Sequence, residues 1–389
     1  MPQTTPPGDP TFVFDAHVDS LQLALELGVD LGRRSPGQLD LPRARSGGLR
    51  AVVFAAWVDP RHLREEGARG RGGARDRADR LFDCLDTLPA DGPPGSRKKE
   101  IRKIEDRGDW ERSRSEGSLA AVAGMEGAHP LETRSGAGDW LAGLEHFFDR
   151  GLRVLTLVWN NHLPWIRSCQ EEPEGRAPTG LTELGRHIVA RLDELGVVVD
   201  LSHAGRQSFE DVLEVGSRPP IASHSGCRAL HDHARNLDDA QLRALAERGG
   251  VVGLPFLPSF LDADAQRRAA ELRATADYRR LRGESAAELE LARTDFMASR
   301  LESLPVDRLV DHLLHAVEVA GIEHVGLGSD FDGITTTVAG LEDASGYPLL
   351  AAALRRRGLD EAAVEKVMGG NFARVLEEAL PASRSLANR

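Results

Sequence analysis

The sequence predicts an α/β protein built as a parallel barrel of eight strands and eight helices, and three observations carry that prediction. Eight short apolar runs rich in β-branched residues recur along the 389 residues. Most are followed by a segment with helical periodicity, and strands that alternate with helices form a parallel sheet. Several runs are apolar without alternation, as expected of strands covered on both faces, and eight suffice to close a (β/α)8 TIM barrel. No strand-to-helix turn carries G-x-G-x-x-G or a Walker A loop, the usual marks of a nucleotide-binding open sheet, so the barrel is favoured over a doubly wound sheet.

In chain order the strands fall at 12–17, 51–58, 120–125, 153–158, 197–201, 220–223, 250–254 and 324–328. Between them Leu184, Ile188, Leu192 and Leu195 recur at helical spacing, as do Leu309, Leu313, Val317 and Ala320, each set marking one buried helix face. Two stretches break the rhythm: 60–118 after the second predicted strand and 262–304 after the seventh. In the first, Leu81, Phe82, Leu85 and Leu88 predict a helix, and the stretches at 67–73 and 90–99 read as exposed loops. The second is highly charged and reads as a solvated helical excursion. The expected organisation is a flexible tail at 1–10, a single barrel domain at 11–380 and a C-terminal tail at 381–389.

A net charge of −12 argues against a nucleic-acid partner, which needs a basic stripe to track phosphates. The N-terminal MPQTTPPGDP lacks a basic patch followed by an apolar stretch, and no run of 18 or more apolar residues follows. A cytoplasmic protein without a membrane span is therefore expected. Cys84, Cys169 and Cys227 are odd in number and widely spaced, which fits neither a disulfide framework nor a thiolate zinc site.

The first strand ends in F-D-A-H-V-D, and side chains two apart on a strand point to the same side, so His17 and Asp19 converge. Glu126, His203, His224 and Asp330 stand at the ends of four further strands, on the face where barrel active sites are built. Each alone has a structural explanation. Together, three histidines, one glutamate and two aspartates on one rim carry a large desolvation and repulsion cost unless cations neutralise the carboxylates. Imidazole with carboxylate suits zinc best, with manganese or cobalt admissible.

Six strings then show a family resemblance: FDAHVD at 14–19, GMEG at 124–127, the run from Gly180 to His203, SHSGCRALHDHARN at 223–236, HVGLGSDFDG at 324–333 and GGNFARV at 369–375. The sequence resembles the membrane (renal) dipeptidase family of zinc peptidases and its bacterial relatives. The resemblance implies a TIM barrel of the metal-dependent hydrolase type and two zinc ions, one on His17 and Asp19, the other on His203 and His224, with Glu126 bridging. It implies that Asp330 is the acid/base that serves a metal-bridging hydroxide, and that Arg235 grips the terminal carboxylate of a dipeptide, L-Xaa-L-Xaa or L-Xaa-D-Xaa. A homodimer is implied by analogy.

Two positions depart from the family pattern: Trp159 stands where better-known members have a substrate-contacting histidine, and Leu257 lies near where they have a tyrosine. Trp159 offers an indole N–H and an apolar wall, so it is expected to shape the substrate pocket without carrying protons. Asp332 and the Gly369–Gly370 pair are expected to be structural, and His231 and His233 to be solvated. Two rival functions stay open: another metal-dependent amidohydrolase on the same barrel, and an inactive metal-binding scaffold.

Overall fold

All eight predicted strands form, and a ninth joins them. The computed structural model describes residues 11–63, 73–88, 100–132, 140–171, 175 and 177–382, so both expected tails, the 90–99 loop and nearly all of the 67–73 loop lie largely outside the described residues. The strands are β1 (Val13–Val18), β2 (Leu49–Trp57), β3 (Ile101–Ile104), β4 (Leu119–Glu126), β5 (Leu152–Thr156), β6 (Val198–Asp200), β7 (Ile221–Ala222), β8 (Val251–Leu254) and β9 (Val325–Leu327). They run in the order β2, β1, β9, β8, β7, β6, β5, β4, and β4 pairs back onto β2 in parallel register from Ala51 opposite Ala120 to Trp57 opposite Glu126. That pairing closes an eight-stranded parallel barrel, with helices around it.

The ninth strand, β3, is a correction to the sequence reading. It pairs with the first half of β4, Ile101 opposite Leu119 through Ile104 opposite Val122, while β5 takes the second half from Ala123 onward. Its centre is charged: Arg102 pairs with Glu116 at 2.6 Å, and Lys103 with Asp86. A strand with two basic residues between two isoleucines has no apolar run to reveal it. The excursion expected after the seventh strand therefore follows β8.

One end of the barrel is plugged. Phe14, Val53, Val122, Val154, Val198 and Val251, from the first halves of six strands, pack against Phe372, Val375 and Leu376 of the helix Asn371–Ala379. Gly369 lets that segment approach closely, because a Cβ there would stand 2.7 Å from the backbone nitrogen of Phe14. With the N-terminal ends of the strands sealed by apolar packing, the C-terminal ends are left to carry polar chemistry. All three predicted helices form, as Ala74–Asp86, Glu183–Leu195 and Val306–Ala320, with Leu88 just past the end of the first. Among the described residues no helix is long and apolar enough to cross a membrane.

The 262–304 stretch folds into the helices Ala263–Ala274, Ala276–Arg279 and Ala286–Ala298, with a small core of Ala269, Phe296 and Met297. It is not merely a solvated excursion. Arg273, Tyr278, Glu290 and Arg293 form one wall of a cavity of about 760 Å³ whose floor includes Asp19, Glu126, His203, His224 and Asp330.

Candidate active site

The strand ends bring all six rim residues together. His17 lies in β1 and Glu126 ends β4, and both are buried with Asp19, His203 and His224. Asp330 is drawn in by backbone pairing: its N–H donates to the His17 carbonyl at 3.0 Å, and Asp19 N–H donates to the Phe331 carbonyl at 2.8 Å. His203 and Asp330 adopt φ of 69° and 65°, in the left-handed region that non-glycine residues rarely enter. Such strain costs on the order of 1–3 kcal/mol each and persists where the surroundings over-determine it.

Hydrogen bonds at the far ring nitrogens fix how two histidines present themselves. His203 Nδ1 is 2.9 Å from Asn160 Oδ1, an acceptor, so Nδ1 carries the proton and Nε2 presents a lone pair. Asp200 holds His224 through a relay: Ser223 Oγ donates to Asp200 Oδ2 at 2.6 Å and lies 2.8 Å from His224 Nδ1. The hydroxyl proton is committed to the carboxylate, so Ser223 accepts from Nδ1–H and His224 Nε2 is likewise a bare acceptor. The two Nε2 atoms are 3.1 Å apart, and Glu126 Oε1 lies 2.9 Å from one and 3.4 Å from the other. Three acceptors at these separations repel unless a cation sits among them. A tetrahedral zinc with bonds of about 2.0–2.1 Å sets its ligand atoms roughly 3.3 Å apart, which fits.

The other Glu126 oxygen faces a second group. Its Oε2 is 3.7 Å from His17 Nε2, which also lies 3.5 Å from Asp19 Oδ2 and 4.0 Å from Asp330 Oδ1. His17 Nε2 and Asp19 Oδ1 are buried without a hydrogen-bond partner, which marks a position built for something else. Asp200 approaches His17 and His224 closely enough to count as a ligand. Its oxygens are already taken by Ser202 N–H, Ser223 and Thr156, so it orients and does not coordinate.

Electrostatics on the rim follow from burial and from three carboxylates in one place. Burial raises the proton affinity of the Glu126 carboxyl, but the neighbouring His17 outweighs it and leaves the group well below its usual range. Asp19 is pushed up to about 6, first by burial. Asp330 is raised well above the ordinary value, by burial first and then by the charges of Asp19 and Glu126, against His17 and Arg235. Burial and the nearby Arg235 bring His203 down to about 4, so that it is neutral at neutral pH.

Arg235 is buried beside the rim, its Nη2 donating to the His224 carbonyl at 3.2 Å and its guanidinium 5.5 Å above the Phe260 ring. Its Nε has no partner. Trp159 lines the same cavity, edge-on to Trp57 with ring centres 5.2 Å apart and 6.1 Å from the His203 ring, and Leu257 lines it too. His162 is turned away, accepting from Ser168 N–H at 3.1 Å. Asp332 accepts from Ser20 and from Gln38 N–H and braces the loop. The expected solvation of His231 and His233 is not seen: His231 is buried with Nε2 3.2 Å from the Ser259 carbonyl, and His233 lines the cavity against Phe260. The cysteines are free thiols.

Sequence reasoning passed over Asp15, Asp200 and Ser223. Asp15 is fully buried and accepts from Ser329 N–H at 2.9 Å, His17 N–H at 3.1 Å and the Tyr347 hydroxyl, joining β1 to the loop after β9. An aspartate inside an apolar strand is the signal that could have found Asp15 and Asp200, since a buried carboxylate needs several donors.

Comparison with known proteins agrees with this geometry. The family described as membrane dipeptidase (peptidase family M19) matches residues 9–389. In sequence the chain is similar to the dipeptidase tcpJ of Claviceps purpurea (strain 20.1), 31% identical over 346 residues, which cover 88% of this chain and 69% of that protein. In structure it is similar to a metallopeptidase of Rhodobacter sphaeroides solved with a phosphinate mimic of the dipeptide L-Ala-D-Ala, with TM-score 0.74, 28% identity and 95% and 100% of the two chains covered. It is also similar to the probable dipeptidase PvdM from Pseudomonas aeruginosa, with TM-score 0.76, 27% identity and 95% of each chain covered. A match along nearly the whole chain, on a barrel whose rim gathers candidate metal ligands, makes this chain a member of the membrane dipeptidase family, metal-dependent hydrolases of dipeptides.

Proposed function

We propose that the chain hydrolyses dipeptides, L-Xaa-L-Xaa and L-Xaa-D-Xaa, at a centre of two zinc ions. His203 and His224 would hold one, His17 and Asp19 the other, and Glu126 would serve both. The observation that carries this reading is the division of the Glu126 carboxylate, one oxygen toward the His203–His224 pair and one toward His17. Metals in such a site supply Lewis acidity, acidifying water and polarising a carbonyl. The relative solved with a phosphinate mimic of L-Ala-D-Ala supports tolerance of a D-residue at the second position.

The chain's own residues do the rest. Asp330, whose buried carboxyl has a raised proton affinity, takes the proton of the attacking water and returns it to the leaving amine. Arg235 offers its unpartnered Nε and a planar fork to the terminal carboxylate, which fixes the scissile bond over the rim. Trp159 and Trp57 form an aromatic wall of the cavity that shapes the substrate pocket.

The test is hydrolysis of an L,L and L,D dipeptide library by protein loaded with zinc, manganese or cobalt, repeated with Asp330→Asn, together with metal analysis. Two metals per chain, turnover of both diastereomer classes and a loss of kcat of about 10²–10⁴ in Asp330→Asn are expected. Unchanged kcat in that variant refutes the proton-transfer role, and turnover confined to organophosphates or nucleobases refutes the dipeptidase.

A further inference from the structure

Five guanidinium groups line the cavity: Arg61, Arg77, Arg235, Arg273 and Arg293. Three are matched by carboxylates on the same walls. Arg61 Nε lies 3.3 Å from Asp59, Arg293 Nη1 lies 3.2 Å from Glu290, and Arg77 pairs with Glu26. Arg235 and Arg273 have no carboxylate partner among the described residues. Arg235 sits against the rim at the His224 carbonyl and has a task in the reading above. Arg273 hangs from the helical wall, and among the described residues its guanidinium makes one hydrogen bond, from Nη2 to Thr335 Oγ1 at 3.4 Å.

That contact says where Arg273 is aimed. Thr335 is buried, lines the same cavity and stands five residues after Asp330 on the loop that carries it. A long, neutral hydrogen bond holds the guanidinium against the loop that carries Asp330, within the cavity, without neutralising it. A half-buried guanidinium has lost part of its hydration and keeps most of its five donors uncommitted, so a carboxylate is the ligand that recovers most. Of the carboxylates that line the cavity away from the rim loops, Asp59, Glu26 and Glu290 each already hold an arginine and do not oppose such a ligand.

We propose that Arg273 is a specificity-determining residue that binds a second carboxylate of the substrate, so that dipeptides with an Asp or Glu side chain are preferred over their uncharged counterparts. The proposal rests on the dipeptidase reading: with the terminal carboxylate on Arg235, only a side chain can bring a second one to the wall.

The experiment compares kcat/KM for two near-isosteric pairs, Ala-Glu against Ala-Gln and Glu-Ala against Gln-Ala, in the native metal-loaded enzyme, Arg273→Gln and Arg273→Lys. The native enzyme is expected to favour the carboxylate member of one pair by about tenfold or more, through KM. Arg273→Gln should bring that ratio to about one, and Arg273→Lys should keep part of it, since the charge survives while the fork is lost. The ratio is internal to each preparation, so partial loss of folded enzyme cancels. A native ratio near one in both pairs, or a preference that survives Arg273→Gln, overturns the proposal. Ala-Ala reports separately on the parent reading: if no dipeptide is hydrolysed, the dipeptidase falls and this proposal with it, whereas turnover of Ala-Ala with flat ratios sinks only the role of Arg273.

Discussion

On the barrel rim the candidate ligands are held from behind by buried hydrogen bonds, whereas the helical wall at 262–304 reaches the barrel side through scattered, partly buried hydrogen bonds. Asp200 gathers Ser202, Ser223 and Thr156 behind His224, and Asp15 gathers Ser329, the His17 N–H and Tyr347. The wall has its own small core and meets the barrel side through Glu26, which accepts from Ala287 N–H at 2.7 Å and pairs with Arg77, and through Arg273 on Thr335. The difference separates two tasks. Metal chemistry tolerates little displacement, so its residues sit on strand ends with their ring orientations locked. Selection among substrates needs a surface whose contacts can change without disturbing that geometry, and partly exposed helices provide it.

Breaking the rim should have the largest effect. In Glu126→Gln the carboxylate that faces both histidine groups becomes an amide, which puts a donor or a weaker acceptor against Nε2 atoms arranged for a cation. We expect kcat/KM to fall by about 10³ or more and bound metal to fall below the native content, measured by steady-state kinetics and elemental analysis. Melting with and without metal gives a sharper contrast. Metal that binds only the folded rim should raise the melting temperature of the native protein, and that of Glu126→Gln much less. An equal rise in both would mean that Glu126 is a structural residue of the barrel and not one placed for a metal.

A smaller effect is expected one step behind the ligands. Asp200 touches no substrate and orients His224 through Ser223, which makes it a positioning residue. Asp200→Asn puts a donating NH2 in place of one of the two oxygens that accept from Thr156, Ser202 and Ser223, which frees the Ser223 hydroxyl and with it the fixed proton on His224 Nδ1. Metal affinity should weaken by about 10–100-fold, with activity recovered at high metal concentration. A purely structural role would lower activity without rescue by metal.

The contrast between rim and wall also explains what could be read from the sequence. His17 and Asp19 were legible because spacing by two on a strand is a local rule, and Glu126, His203, His224 and Asp330 because each ends an apolar run. The left-handed turns at His203 and Asp330 were not, since no glycine marks them. Asp15 and Asp200 were hidden because their partners arrive from elsewhere in the chain: Tyr347 is 332 residues from Asp15, and Thr156 is 44 from Asp200. β3 escaped because its centre is charged, and the same charge signal at 262–304 suggested solvent where the structure shows a cavity wall. Charge reports that a side chain wants water or a partner. It does not say which, and a binding cavity supplies both. Arg235 entered only through the family resemblance, because its burial against Phe260 and the His224 carbonyl depends on tertiary contacts.

The smallest effect should come from the link between barrel and wall. Burial raises the proton affinity of Glu26, but the Ala287 N–H and Arg77 outweigh it, and its folded pKa lies below the ordinary 4.5. A depressed carboxylate pKa stabilises the folded state fully above the unfolded value, and that contribution fades as the pH falls below it through the folded one. The wall should therefore be held down at neutral pH and loosen in acid, visible as faster amide exchange across Ala286–Ala298 with little change at the rim. Glu26→Gln keeps the shape and removes the charge, so it should show the looser wall already at neutral pH, by about 1 kcal/mol of opening free energy, and no further acid step. An acid step that persists in Glu26→Gln would place the titrating group elsewhere on the wall and leave Glu26 as packing alone.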